Sequence, residues 1–134
     1  MSGATKSFLY PDSVGERSTP TYRATWMSNG LPVQAGSVSS ILFWLRDVRT
    51  GAIVNGRDGV DVFNVNGGAL VNGVFTLQLS SEDTQHYGDG KAEKRLMTFD
   101  VLLQSGGRLT REVSFYVRSF QDVPSAGSPG GSPP

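Results

Sequence analysis

Ser40-Ile41-Leu42-Phe43-Trp44-Leu45-Arg46 is the stretch on which the fold turns. Ile41, Phe43 and Leu45 recur at every second position. Successive strand side chains point to opposite faces, so these three line one buried face of a β-strand. Leu42 and Trp44 fall on the other face, where a half-exposed strand would carry polar residues. Two readings of that second face stay open. The strand is central and an N-terminal arm covers it, or the face is an exposed aromatic patch that meets another subunit.

The same period of two runs through four more segments. Tyr22, Ala24 and Trp26 alternate with Arg23 and Thr25, and Phe75, Leu77 and Leu79 with Thr76 and Gln78. Met97, Phe99, Val101 and Leu103 alternate with Thr98, Asp100 and Leu102, and Val113, Phe115 and Val117 with Ser114, Tyr116 and Arg118. Trp26 falls with the core by this alternation. Weaker strands are expected at Ala52–Val54 and Val60–Val65. Asn-Gly at 29–30, 55–56, 66–67 and 72–73 supplies residues that tolerate positive φ, which tight hairpin turns demand. Gly106-Gly107 separates the last two long strands as a hairpin turn. Ser80-Ser81-Glu82-Asp83-Thr84 reads as a capped single helical turn with its acids at the positive helix start. No stretch has the pattern of an amphipathic helix of ordinary length, and no internal repeat is present. About seven strands joined by short turns in roughly 100 residues predict an all-β, antiparallel sandwich.

Composition supports one such domain in 134 residues, with 17 glycines and a hydrophobic share of 37% favouring short strands and turns over long helices. Residues 20–121 are assigned to the sandwich. Residues 122–134 are a predicted disordered tail, since Pro124 to Pro134 contain only Pro, Ser, Gly and Ala and offer no apolar surface to offset chain entropy. Residues 1–19 form an N-terminal arm broken by Pro11 and Gly15. Its apolar stretch, Phe8-Leu9-Tyr10, is either a strand or loop over the sandwich or an arm that docks on a neighbouring subunit.

Lys plus Arg equals Asp plus Glu at 12 each, which gives no long-range pull on nucleic acid or an anionic membrane, so neither is expected as a partner. There are no cysteines, which excludes disulfides, thiolate metal sites and a Cys nucleophile and suits synthesis in a reducing cytosol. The N-terminus has no apolar run of signal-peptide length, and Ile41–Leu45 is far too short to span a bilayer. Release by lysis of a host cell would carry such a protein outside.

The order of these segments has a counterpart. Thr25-Trp26-Met27-Ser28-Asn29-Gly30-Leu31-Pro32-Val33 precedes the long strand ending Leu45-Arg46-Asp47. Thr50-Gly51-Ala52-Ile53-Val54, the run Asn72 to Thr84, Phe99-Asp100-Val101, Gly106 to Arg111 and Phe115-Tyr116-Val117 follow in turn. Over roughly residues 20–120 the progression resembles phage-encoded immunoglobulin-like domains, including the N-terminal domain of baseplate upper proteins and small proteins of head-to-tail modules. The family's short tight turn before the Phe-Asp strand is replaced here by the longer charged run from Gly88 to Arg95. The resemblance implies a non-catalytic virion part, made in the host cytoplasm, that binds other capsid, neck or tail proteins in multiple symmetric copies.

Residues with chemical potential are few. His86 is the single histidine, without the companion ligands a metal site needs, and reads as a solvent-exposed loop residue. Asp58, Asp61, Asp83 and Asp89 read as solvated turn acids, and Asp58-x-x-Asp61 lacks the ligand density of a calcium loop. Gly88-Asp89-Gly90-Lys91 is a fragment of a phosphate-loop pattern without the strand-to-helix setting. Lys91-Ala92-Glu93-Lys94-Arg95 reads as a solvated charged face. No catalytic residue, metal ligand or cofactor is expected. The candidate interaction residues are Phe8, Leu9, Tyr10, Leu42, Trp44, Tyr116 and Arg118, the last two on the outward face of the final strand. The alternative function is a carbohydrate- or host-surface-binding module, with Trp44 or Tyr87 as the sugar platform.

Overall fold

The residues whose period of two predicts strands are those the fold buries. Ile41, Phe43, Leu45, Phe75, Leu77, Met97, Phe99, Val101 and Val117 are all at zero exposure. The structure, a computed structural model, describes residues 13–88 and 92–119. Its strands are β1 (Ser13–Gly15), β2 (Thr21–Ala24), β3 (Met27–Ser28), β4 (Leu31–Pro32), β5 (Val38–Asp47), β6 (Ile53–Asp61), β7 (Gly68–Val71), β8 (Val74–Gln78), β9 (Glu93–Leu103) and β10 (Arg108–Arg118). A single 3-10 turn, Ala35–Ser37, precedes β5.

The strands form a five-stranded sheet in the order β1-β10-β9-β5-β6, a three-stranded sheet β2-β8-β7 and a small ribbon β3-β4. The two sheets face each other across the core, and the chain passes between them after β1, after β2 through the β3–β4 ribbon, after β6 and after β8. This is an immunoglobulin-like sandwich. The pairing is antiparallel throughout except at β1, which runs parallel to β10, with Ser13 opposite Tyr116 and Gly15 opposite Arg118.

Phe99 sits at the middle of the core. Its ring centroid lies 5.1 Å from Phe43, 5.4 Å from Tyr22, and 5.5 Å from both Trp26 and Phe75. Rings from both sheets therefore meet on one residue. Burying each such side chain stabilises the fold by about 1.5–3 kcal/mol.

Turn chemistry follows the sequence at three Asn-Gly pairs. Asn29-Gly30 and Asn72-Gly73 both take positive φ and close the β3–β4 and β7–β8 hairpins. Asn66-Gly67 also has positive φ and turns the chain from β6 into β7. Asn55-Gly56 departs from expectation. It lies inside β6, so the two weak strands expected at Ala52–Val54 and Val60–Val65 are one strand interrupted by register shifts opposite Trp44. Four short elements lay below the sequence signal: β1, β3, β4 and β7. Ser81–Thr84 is a hydrogen-bonded turn without a helical span. Ser13–Gly15, within the stretch assigned to the arm, is a strand of the large sheet, whereas Phe8, Leu9, Tyr10 and the tail at 122–134 lie outside the described residues.

Candidate functional site

Register decides which side chains share the face of the five-stranded sheet that the core does not use. On β5, Leu42, Trp44 and Arg46 stand opposite Asp100, Thr98 and Leu96 of β9. On β10, Ser114 and Tyr116 stand opposite Leu96 and Lys94. Leu42, Trp44, Leu96 and Tyr116 therefore lie on one face, with Arg118 at its margin beside Gly15. Leu42, Trp44 and Leu96 are half-buried and contiguous, since Leu96 is the diagonal neighbour of Trp44. Tyr116 is exposed and separated from Trp44 by the width of β9. Leu96 was not among the residues expected here, although its parity with Thr98 places it outward.

Trp44 is held in place by an interruption in its neighbour strand. The first register shift in β6 sets Gly59 beneath the indole, with φ at +73°, and a Cβ at Gly59 would meet Trp44 Cζ2 at 3.4 Å. Glycine is favoured there by the backbone conformation, and the ring packs directly on it. Asp58, exposed opposite Trp44, and Arg46 supply polar groups around the apolar centre.

At one end of this face, the β5–β6 loop, Tyr87 and Gly88, the start of β9 and Tyr116 of β10 line a cleft of about 780 Å³. Its floor is a charge network around Arg95, which is fully buried. Arg95 Nη1 donates to Asp47 Oδ1 at 2.7 Å, and Nη2 donates to Glu93 Oε1 and to the Gln85 carbonyl, both at 2.8 Å. Asp47 Oδ2 accepts from the Thr50 amide at 3.0 Å and its hydroxyl at 2.8 Å. Glu93 Oε1 also accepts from the Tyr87 amide at 2.9 Å, and His86 Nδ1 lies 3.7 Å from Glu93 Oε2. Burial raises the Glu93 carboxyl, but the Tyr87 amide, Arg95 and His86 outweigh it and hold the group below its ordinary value.

A second charged cluster ties the two sheets together. The extra residues of β6 carry Asn55 and Arg57 to Asp83, in the turn that follows β8. Arg57 donates to both Asp83 oxygens, Nε at 2.9 Å and Nη2 at 2.8 Å, while Asn55 and the Ser80 amide add bonds of 2.9 and 2.8 Å. Burial raises the Asp83 carboxyl, and the bonds from Arg57, Asn55 and Ser80 more than reverse that, so it titrates below its ordinary range.

Asp83 and Glu93 are both depressed, so the unfolded chain binds protons first as pH falls. Their contribution is present above the unfolded carboxylate values, about 4, and is lost as pH drops through the folded ones. Thermal midpoints should be flat from pH 7 to about 5 and fall toward pH 3. Asp83→Asn should lower the midpoint at pH 7 and flatten the decline below pH 4. Parallel pH profiles for the two proteins would contradict the assignment.

Three sequence readings are corrected by burial. Asp83 is at zero exposure, not a solvated turn acid, because Arg57 and Asn55 neutralise and bond it. The His86 side chain is only 3% exposed and lies against Glu93. Arg95, within the run read as a solvated face, is fully buried because Asp47, Glu93 and a carbonyl compensate its charge. Its parity with Met97 and Phe99 is the signal that places it inward. Among the described residues, no three or more His, Cys, Asp or Glu side chains gather as a metal-holding group.

No family model matches the chain, and no curated protein matches it. Among solved structures, CopC from Methylosinus trichosporium OB3b aligns over 81% of this chain and 83% of its own, at 17% identity and a TM-score of 0.43.

Proposed function

We propose that this protein is a non-enzymatic structural part of a bacteriophage particle, fixed to a repeated capsid, neck or tail protein through the outer face of its five-stranded sheet. The observation that carries the docking reading is Trp44, half-buried on Gly59 and flanked by Leu42 and Leu96 on a face the core does not use. A large ring already fixed by its neighbours loses little freedom when a partner covers it, and such rings dominate binding energy at contact centres. Asp58 and Arg46 give the polar surround that fixes orientation. The phage assignment rests on the segment order described above, and the cysteine-free chain suits synthesis in host cytoplasm. One contact of this size is modest, but copies displayed on a symmetric particle raise effective concentration and make the array stable.

The test is incorporation into particles. Mass spectrometry of purified phage from a producing culture should find this chain in a fixed multiple of the symmetric shell or tail proteins. Trp44→Ala should reduce its association with those proteins by about 30-fold or more, the equivalent of a hot-spot loss of about 2 kcal/mol, while leaving the folded spectrum intact. Particles devoid of the chain, or full incorporation of the Trp44→Ala protein, would refute the proposal.

A further inference from the structure

The cleft beside Tyr116 has a chemistry that the docking face does not use. Its carboxylates are largely committed: both Asp47 oxygens are bonded by Arg95 and Thr50, and Glu93 Oε1 by Arg95 and the Tyr87 amide, while Oε2 lies 3.7 Å from His86 Nδ1. A cation arriving from solvent finds no free carboxylate pair there. The walls instead leave cationic and aromatic groups open. Arg49 and Lys94 are exposed, and neither side chain has an internal hydrogen bond or ion pair among the described residues. Tyr87 and Tyr116 are 52% and 44% exposed, and the Arg95 guanidinium lies 5.2 Å from the Tyr87 ring centroid, bracing that ring from within.

We propose that this cleft binds an acidic saccharide, a pyranose ring bearing a carboxylate. Arg49 and Lys94 hold the carboxylate by charge-assisted hydrogen bonds. Tyr87 and Tyr116 offer flat rings to the C–H face of the sugar and hydroxyls to its ring oxygens. The volume, about 780 Å³, falls within the range of sites that enclose a small ligand. Two cations in a neutral protein are too few for a nucleic-acid backbone, which needs a longer positive track. An acidic peptide satisfies the cations but leaves two tyrosine faces uncovered. The inference stands apart from the docking proposal, since Trp44 does not line the cleft.

Titration calorimetry of the full chain at low salt, with trigalacturonate, a neutral galactose trisaccharide and tri-glutamate, tests this. Trigalacturonate should bind with a Kd on the order of 0.1–1 mM, and both controls at least about tenfold more weakly. An Arg49→Ala/Lys94→Ala double variant changes only exposed side chains and should keep its thermal midpoint while losing about tenfold or more in affinity for trigalacturonate. Trp44→Ala should bind the sugar as the parent does. Absence of trigalacturonate binding, equal binding of either control, or an unaffected double variant would overturn the proposal. So would loss of sugar binding in Trp44→Ala, which would move the site onto the sheet face.

Discussion

Arg95→Ala is expected to destabilise the domain by about 3–5 kcal/mol, read from urea denaturation at pH 7. The reason is the ledger of charges left behind. Arg95 is fully buried between Asp47, whose side chain is 8% exposed, and Glu93, at 17%. Removing the guanidinium leaves two poorly hydrated carboxylates without their shared cation and orphans the Gln85 carbonyl. Arg95→Met retains much of the packing volume, so the part of the loss it reproduces measures the charge and not the cavity. Arg95 itself is imperfectly satisfied, as its Nε is buried without a hydrogen-bond partner. Typical domains are stable by about 5–15 kcal/mol, so this single change removes a large share. A loss under about 1 kcal/mol would mean that solvent reaches the network.

Phe99→Ala is expected to cost about 3–5 kcal/mol, toward the upper end of that range. Phe99 has no exposed surface and meets four aromatic rings, three from strands of the two sheets and Trp26 from the segment after β2. Tyr22, Phe43 and Phe75 cannot close the gap without leaving their strand register, so a cavity remains. Trp26, 2% exposed and 5.5 Å from Phe99, reports the change through its fluorescence. Phe99→Leu, which keeps much of the volume, should cost less than about 2 kcal/mol. Similar losses for the two variants would show that the aromatic cluster collapses freely around the site.

The strands that carry the core were legible because alternation is a local signal. Tyr22 to Ala24, Ile41 to Leu45, Phe75 to Leu77, Met97 to Val101 and Phe115 to Val117 each announce a buried face over a few residues. β7 was not legible, since Gly68-Ala69-Leu70-Val71 is short and opens with a glycine packed against the Val62 backbone. β6 was split because Asn55-Gly56 suits a hairpin turn equally well. Only its pairing with β5 shows that the dipeptide lies within a strand. The charged clusters were the least visible. Arg57 and Asp83 are 26 residues apart, and Arg95 and Asp47 are 48 apart. Nothing near Arg57 announces Asp83, and of the acids that pair with Arg95 only Glu93, two residues away, is its neighbour in sequence. The outward pair Leu42 and Trp44 was read from parity alone, whereas Leu96 entered only through the register of β9.

The borders of the large sheet constrain how copies can meet. One border is β10, of which β1 pairs only Tyr116 to Arg118, leaving Arg108 to Phe115 without an outer strand partner among the described residues; the other is β6, broken twice in register and carrying Asp58 and Asp61. The small sheet ends in four-residue strands on both sides. The β6 border and the small sheet offer no long run of free amides and carbonyls for another chain to pair with, whereas the uncovered length of β10 does. Extension of the large sheet by an added strand is therefore open along β10 and closed along β6, so any strand that joins it does so from one side.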